Sequence, residues 1–303
     1  PIVTSYGRAD AVPNDHPHYL GHLGRLGAVE GIEAARQADV ILAVGTRLGQ
    51  STTFYDHRYI PAGAQIIQIE IDPQEIGRNY PVAVGIEGDA KAIMQGLLEV
   101  AQQGEPRPNP AWVSEIGDWF ARRKQRLDDE GKLDSMPMKQ QRAYAEIRKV
   151  LPRNTIVALD AGLSPNMGQD RLNYYEPRSL LTSLDLGGLG FSFPASLGAK
   201  LGAPDRPVMN FNGDGGFMFN AQEFETAVRH GLRVVTVVMN NGCWGSEKAY
   251  QRYAFNERYV GADTSNPRFD KFAELFGGTG FYVEHPNDIG DAFLEALKAD
   301  GPS

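Results

Sequence analysis

Short, nearly continuous apolar runs alternate with segments of helical period along this chain. This is the pattern of βα units wound around a parallel sheet. Residues 1–5 read as a strand, and residues 40–44 and 66–71 read as buried strands. Residues 29–38 and 89–101 read as helices, the second with Asp89 as its N-cap. Prolines at 106, 108 and 110 mark a linker, and residues 112–133 make a highly charged surface helix. A second series follows, with strands expected at 155–159, 208–211, 234–239 and near 280–283. Its helices are expected at 194–201, 221–230, 270–276 and 289–298, and Asn220 with Glu223 gives the helix at 221 a capping-box signature. The expected fold is α/β: two doubly wound, Rossmann-like parallel-sheet domains at 1–105 and 146–303, joined by a linker at 106–145. Both ends look cut, since a strand opens the chain and its last helix stops where another strand is due.

The formal net charge of −8 argues against a nucleic-acid partner. The basic run of Arg122, Arg123, Lys124 and Arg126 reads as a solvated helix face. Cys243 is the only cysteine, so no intrachain disulfide forms. No apolar run reaches the ~18 residues of a membrane span, and no signal peptide opens the chain. A cytoplasmic enzyme fits these features.

The chemistry concentrates at two strand ends. Asn212-Gly213-Asp214-Gly215-Gly216 follows one expected strand and Asn240-Asn241 follows the next, with 27 positions from Asp214 to Asn241. That distance holds one loop, one helix and one strand. A parallel sheet then sets both groups at neighbouring carboxyl ends, where open α/β sheets bind ligands. The residue types suit a hydrated Mg²⁺ that holds a diphosphate. Magnesium takes six oxygens in an octahedron and keeps few protein ligands. Asp214 offers a carboxylate, Asn241 an amide oxygen, and the main-chain carbonyl of Cys243 a third ligand. Gly213, Gly215 and Gly216 let main-chain N–H groups come close to an anion.

Gly213-Asp214-Gly215 with Asn240-Asn241 resembles the signature of thiamine-diphosphate enzymes. The segment from Leu186 to Ala199 resembles what precedes that signature in the acetolactate synthase group. The resemblance implies that Leu189 sits under the cofactor and holds its two rings in a V shape, which lets the cofactor deprotonate itself. It also implies diphosphate contacts from Ala161, Gly162 and Ser164, although the Gln-His pair common at that place is absent here. Trp244 and Gly245 follow the metal loop.

The likeness continues through His16-Pro17 to Gly27, Gly45-Thr46-Arg47, Glu70-Ile71-Asp72-Pro73 and Gly88-Asp89. These follow the family's central domain, which holds FAD in acetolactate synthases. Gly45, Thr46, Arg47, Glu70, Gly88 and Asp89 are therefore candidates for FAD or another nucleotide. The second basic residue expected after Arg47 is missing, and a plain structural domain is the competing reading. His16, His18 and His22 lack a metal-ligand spacing and read as loop histidines.

The family activates its cofactor with a glutamate from a separate N-terminal domain, normally supplied by a partner subunit. No segment here matches that domain, so the resemblance implies a homodimer or tetramer. Within the group, the central domain and the Gly213 region resemble acetolactate synthases. Trp244-Gly245-Ser246-Glu247-Lys248 and Arg258-Tyr259-Val260 look closer to sulfoacetaldehyde acetyltransferases. Tyr250 stands where acetolactate synthases place an acceptor-pocket tryptophan. The expected activity is decarboxylation of a 2-oxo acid with transfer of the activated aldehyde, on a small carbonyl substrate. Sulfoacetaldehyde acetyltransferase is the alternative. A non-catalytic cofactor-binding chain, completed by a partner, is the reading from another class.

Overall fold

The computed structural model describes residues 1–105, 109–183 and 186–303. Pro106 and Pro108 of the expected linker lie outside the described residues. The described residues gather into two compact units, Pro1–Tyr6 with His16–Lys124, and Gly7–Asp15 with Gln125–Ser303.

The first unit contains β1 (Ile2–Thr4), β2 (Tyr19–His22), α1 (Val29–Arg36), β3 (Val40–Val44), α2 (Gln50–Thr53), β4 (Gln65–Glu70), β5 (Val84–Glu87) and α3 (Ala90–Gln103). It also holds most of α4 (Pro110–Glu130). Pairing is parallel throughout, β1 with β2 in one sheet and β3-β4-β5 in another. Asp89 caps α3 as expected, accepting the Ala92 N–H at 2.9 Å. Three expectations fail here. The strand at β3 forms but is buried on one face only: Ala43 packs with Leu48, Ile60, Ile66 and Tyr80, while Val40 is 53% exposed. His22 is a buried residue of β2 rather than a loop histidine, with its ring Nε2 3.2 Å from the Arg25 carbonyl. The basic run is not simply solvated, because Arg123 is buried on α4 with its guanidinium over the Tyr19 ring.

The second unit contains the rest of α4, then α5 (Gln140–Val150), β6 (Ile156–Leu159), α6 (Leu163–Asn166), α7 (Gly168–Arg171) and β7 (Leu180–Thr182). Then come α8 (Ser192–Gly202), β8 (Val208–Gly213), α9 (Asp214–Met218), α10 (Glu223–Arg229), β9 (Val235–Met239), α11 (Gly245–Ala254), α12 (Phe269–Leu275) and α13 (Ile289–Lys298). Four parallel strands run in the order β7-β6-β8-β9. Both faces are covered, so side chains alternate between two apolar cores. Val157, Leu159, Met209, Phe211 and Val235 meet Tyr144 and Ile147 of α5 and Phe293 of α13. Ile156, Val208 and Val234 meet Phe193 and Leu197 of α8, Phe217 and Phe224. The boundary expected at 145 runs through α5, whose Ala143, Tyr144 and Ile147 belong to this core. Residues 7–15 also join this unit. Asp10 accepts the N–H groups of Ser179 and Leu180 and so braces the start of β7.

A line of polar groups lies buried on the α8 side of β8. The Ser192 hydroxyl donates to Asn212, Asn212 donates to Asn210, and Asn210 donates to Ser196 and Thr236, at 2.6–3.1 Å. Every side-chain amide in it has a partner, which burial demands.

Two expectations fail in this unit. The apolar run at residues 280–283 forms no strand and joins no sheet, and with β9 it lines a cavity of about 1030 Å³. Instead Ser303 makes main-chain bonds with Val234 and Thr236 beside β9, and Tyr282 stacks against Arg268. The capping box at Asn220 is not formed. The Asn220 amide donates to the Gly190 carbonyl at 2.8 Å, and α10 starts at Glu223 without a side-chain cap.

Candidate functional site

The strand order of the second unit reverses at β6 and β8, because the chain leaves β6 for β7 on one side and returns to β8 on the other. Such a switch point leaves a crevice at the carboxyl ends. Asp160 follows β6 and Asp214 follows β8, so the crevice carries two buried carboxylates.

Asp160 is taken up by main chain. Its two oxygens accept the N–H groups of Gly190 at 3.0 Å and Ser192 at 2.8 Å. Burial raises its pKa, and the same two N–H groups pull it back down. It therefore moors the loop that carries Leu189, a half-exposed residue next to Gly190.

Asp214 is 1% exposed and opens α9. Its Oδ2 accepts from the Thr264 hydroxyl at 2.9 Å and from the Asn266 amide at 2.6 Å. Among the described residues it has no ion-pair partner. A buried carboxylate with only neutral partners is a place for a cation.

The glycines around it have separate reasons. At Gly213 an added Cβ would meet open space, which leaves the main chain approachable. At Gly215 it would lie 2.5 Å from the Trp244 ring, and at Gly216 3.0 Å from an Asp160 oxygen. Two of the three are thus explained by packing inside the chain.

The loop after β9 closes the other side. Asn240 Oδ1 accepts the Gly242 N–H at 3.2 Å and the Asn266 amide at 2.9 Å, which ties it to the hydrogen bonds of Asp214. Asn241 turns its amide oxygen to the Cys243 N–H at 3.3 Å. The structure therefore brings Asn240 to Asp214 through Asn266, and leaves Asn241 and Cys243 in their own turn. Burial pushes the Cys243 thiol above its ordinary value, partly offset by Lys248. Gly245 lies against the Asn241 amide and Leu163, so the loop after β6 meets the loop after β9.

Ala161 and Gly162 lead into α6, with Gly162 at φ +114. Ser164 is buried and its hydroxyl accepts from Gln140 at 2.7 Å. Tyr250 is 58% exposed on α11. Sequence reasoning missed Thr264, Asn266 and the anchoring role of Asp160. Nothing in the spacing of Thr264 and Asn266 ties them to Asp214, 50 and 52 positions before them. Among the described residues, no cluster of three or more His, Cys, Asp or Glu forms a metal cage.

In the first unit, Gly45-Thr46-Arg47, Glu70 and Gly88-Asp89 stand at the carboxyl ends of β3, β4 and β5. Their polar groups already have partners. The Thr46 hydroxyl accepts from Ser5 and the Leu48 N–H, the Thr46 carbonyl from Gln68, and the Arg47 carbonyl from Asn79. Glu70 accepts the Ile71 N–H, and the Gly88 N–H donates to the Glu70 carbonyl.

No helix among the described residues is long and apolar enough to cross a membrane. Residues 160–303 match the family model described as "Thiamine pyrophosphate enzyme, C-terminal TPP binding domain", and residues 1–97 match "Thiamine pyrophosphate enzyme, central domain". The chain is 33% identical to a sulfoacetaldehyde acetyltransferase of Alcaligenes xylosoxydans xylosoxydans, covering 98% of this chain and 53% of that protein. It is 31% identical to the acetolactate synthase large subunit of Haemophilus influenzae, covering 98% of this chain and 52% of that protein. It thus spans about half the length of the curated relatives it matches. Two family models in tandem, with a buried carboxylate at the switch point of the second domain, make this chain a member of the thiamine pyrophosphate (thiamine diphosphate) enzyme family, carrying its central and C-terminal domains.

Proposed function

We propose that this chain holds thiamine diphosphate through a Mg²⁺ ion at Asp214, in an enzyme that cleaves and forms C–C bonds next to a carbonyl. The observation that carries the reading is Asp214, a carboxylate 1% exposed, at the sheet's switch point, with neutral partners on one oxygen. In this reading Asp214, the Asn241 amide oxygen and the Cys243 carbonyl hold the metal. Gly213 gives the diphosphate access to the main chain, and Leu189, moored through Gly190 by Asp160, supports the rings. Thiamine diphosphate, when bound, supplies a nucleophilic carbon for reaction at a carbonyl, which no side chain of the protein provides. The residues of this chain bind, orient and exclude water. The acid that activates the cofactor would come from a separate domain of a partner subunit, so a homodimer or tetramer belongs to the reading.

The test is calorimetric titration of the full-length protein with thiamine diphosphate and Mg²⁺. Asp214→Ala is expected to abolish Mg²⁺-dependent retention, and unchanged affinity in that variant would refute the site. Exchange of the cofactor's C2 proton in D₂O, followed by NMR, separates enzyme from passive binder. Acceleration by about 10²-fold or more supports catalysis.

Two reactions fit. Acetolactate-synthase-like decarboxylation of a 2-oxo acid with aldehyde transfer is one, supported by the central domain and the Gly213 region. Sulfoacetaldehyde acetyltransferase is the other, supported by the residues 244–248 segment, in which Trp244 packs on Gly215 and Lys248 pairs with Asp263 at 2.6 Å. Assays with a 2-oxo acid and with sulfoacetaldehyde distinguish them.

A further inference from the structure

Thr264 and Asn266 lie about 50 positions beyond Asp214 in sequence, yet both bond the same carboxylate oxygen. The Asn266 amide also reaches Asn240 Oδ1 at 2.9 Å. An amide NH₂ has two hydrogens, and the short bonds to Asp214 and Asn240 take both. The Thr264 hydroxyl is then the second donor to Asp214.

Main chain holds these donors in place. The Thr264 N–H donates to the Gly242 carbonyl, Cys243 bridges Asp263 in antiparallel fashion, and the Trp244 N–H donates to the Ala262 carbonyl. Residues 262–264 thus pair with residues 242–244, and Asn266 follows two residues on. The loop that carries the expected metal ligands is also the loop against which the Asp214 donors are registered.

Two donors on Oδ2 leave Asp214 one oxygen to offer. Mg²⁺ demands near-ideal octahedral geometry, which one oxygen per carboxylate suits, whereas Ca²⁺ accepts two-oxygen carboxylates and larger, more flexible shells. Partners that orient a metal ligand set affinity without touching the metal. We propose that Asn266, seconded by Thr264, is a positioning residue that makes Asp214 a one-oxygen ligand and so favours magnesium over calcium. This rests on the reading of Asp214 as the metal carboxylate.

The experiment is equilibrium binding of thiamine diphosphate to the full-length protein, by calorimetry, with Mg²⁺ or Ca²⁺ varied. Circular dichroism melting is recorded for each variant. Asn266→Ala is expected to weaken Mg²⁺-dependent binding by about 10–100-fold and Ca²⁺-dependent binding by much less, so the preference for magnesium collapses. Thr264→Ser, which keeps the hydroxyl, retains the wild-type preference. Thr264→Val, which removes one donor and leaves the other, shifts it part of the way, and serves if Asn266→Ala does not fold. Equal weakening with both ions, or none, overturns the inference while the Asp214 reading stands. Divalent-independent binding by the wild type overturns both.

Discussion

Asp160 follows β6 with both oxygens given to main-chain donors, so its charge state is coupled to the loop from Gly190 to Ser192. Burial holds its folded-state pKa above the ordinary 3.8. The sign follows from linkage. A carboxyl with a raised folded pKa binds more protons folded than unfolded, so its contribution is full below the unfolded pKa and lost as pH rises through the folded one. Asn at this place accepts one N–H and turns a donor toward the other. Asp160→Asn should therefore destabilise the fold by roughly 1–3 kcal/mol near pH 4, with the gap from wild type narrowing toward neutral pH. Urea unfolding of both proteins across that range checks it, and a gap that widens or stays constant contradicts the raised pKa.

Among the elements, α9 and the loop after β9 meet at the Trp244 ring, which lies against Gly215. Gly215→Ala puts a methyl into a rigid indole. The expected cost is about 1–3 kcal/mol, seen as a lower melting temperature with altered tryptophan fluorescence. Thiamine diphosphate binding should fall with it, since Asn241 and Cys243 lie on the displaced loop. The contact also shows what the sequence could and could not tell. The placement of Asp214 and Asn241 is legible, because strand, loop, helix and strand between them have a fixed length and a parallel sheet sets both at carboxyl ends. Thr264 and Asn266 are not, because their bond to Asp214 depends on a main-chain ribbon that no periodicity announces. Phe281 and Val283 have the spacing of a strand, but a strand also needs a paired edge, and these residues pair with none. Asn220 and Glu223 have the spacing of a capping box, but the Asn220 amide bonds Gly190 instead.

Over the whole molecule, both units place polar loops at the carboxyl ends of parallel strands, and they differ in what those loops leave unmet. In the second unit Asp214 is buried with no countercharge among the described residues. In the first, Thr46, Glu70 and Asp89 have their hydrogen bonds within the chain. The full-length protein is therefore expected to purify without flavin absorbance and to stay colourless after soaking with FAD. A yellow preparation with stoichiometric flavin would assign Arg47 and Glu70 to a nucleotide after all.

The buried run from Ser192 through Asn212 and Asn210 to Ser196 and Thr236 has an effect beyond stability. Oily surfaces tolerate sliding, and α8 moved one turn along the sheet, about 5.4 Å, would still meet apolar side chains. Its serines would no longer face the asparagines, and each orphaned group would cost about 1–3 kcal/mol. The run works like the teeth of a ratchet and allows one setting. Leu189 and Gly190 sit just ahead of α8 and inherit that setting, so the height of their loop above the sheet is fixed from below.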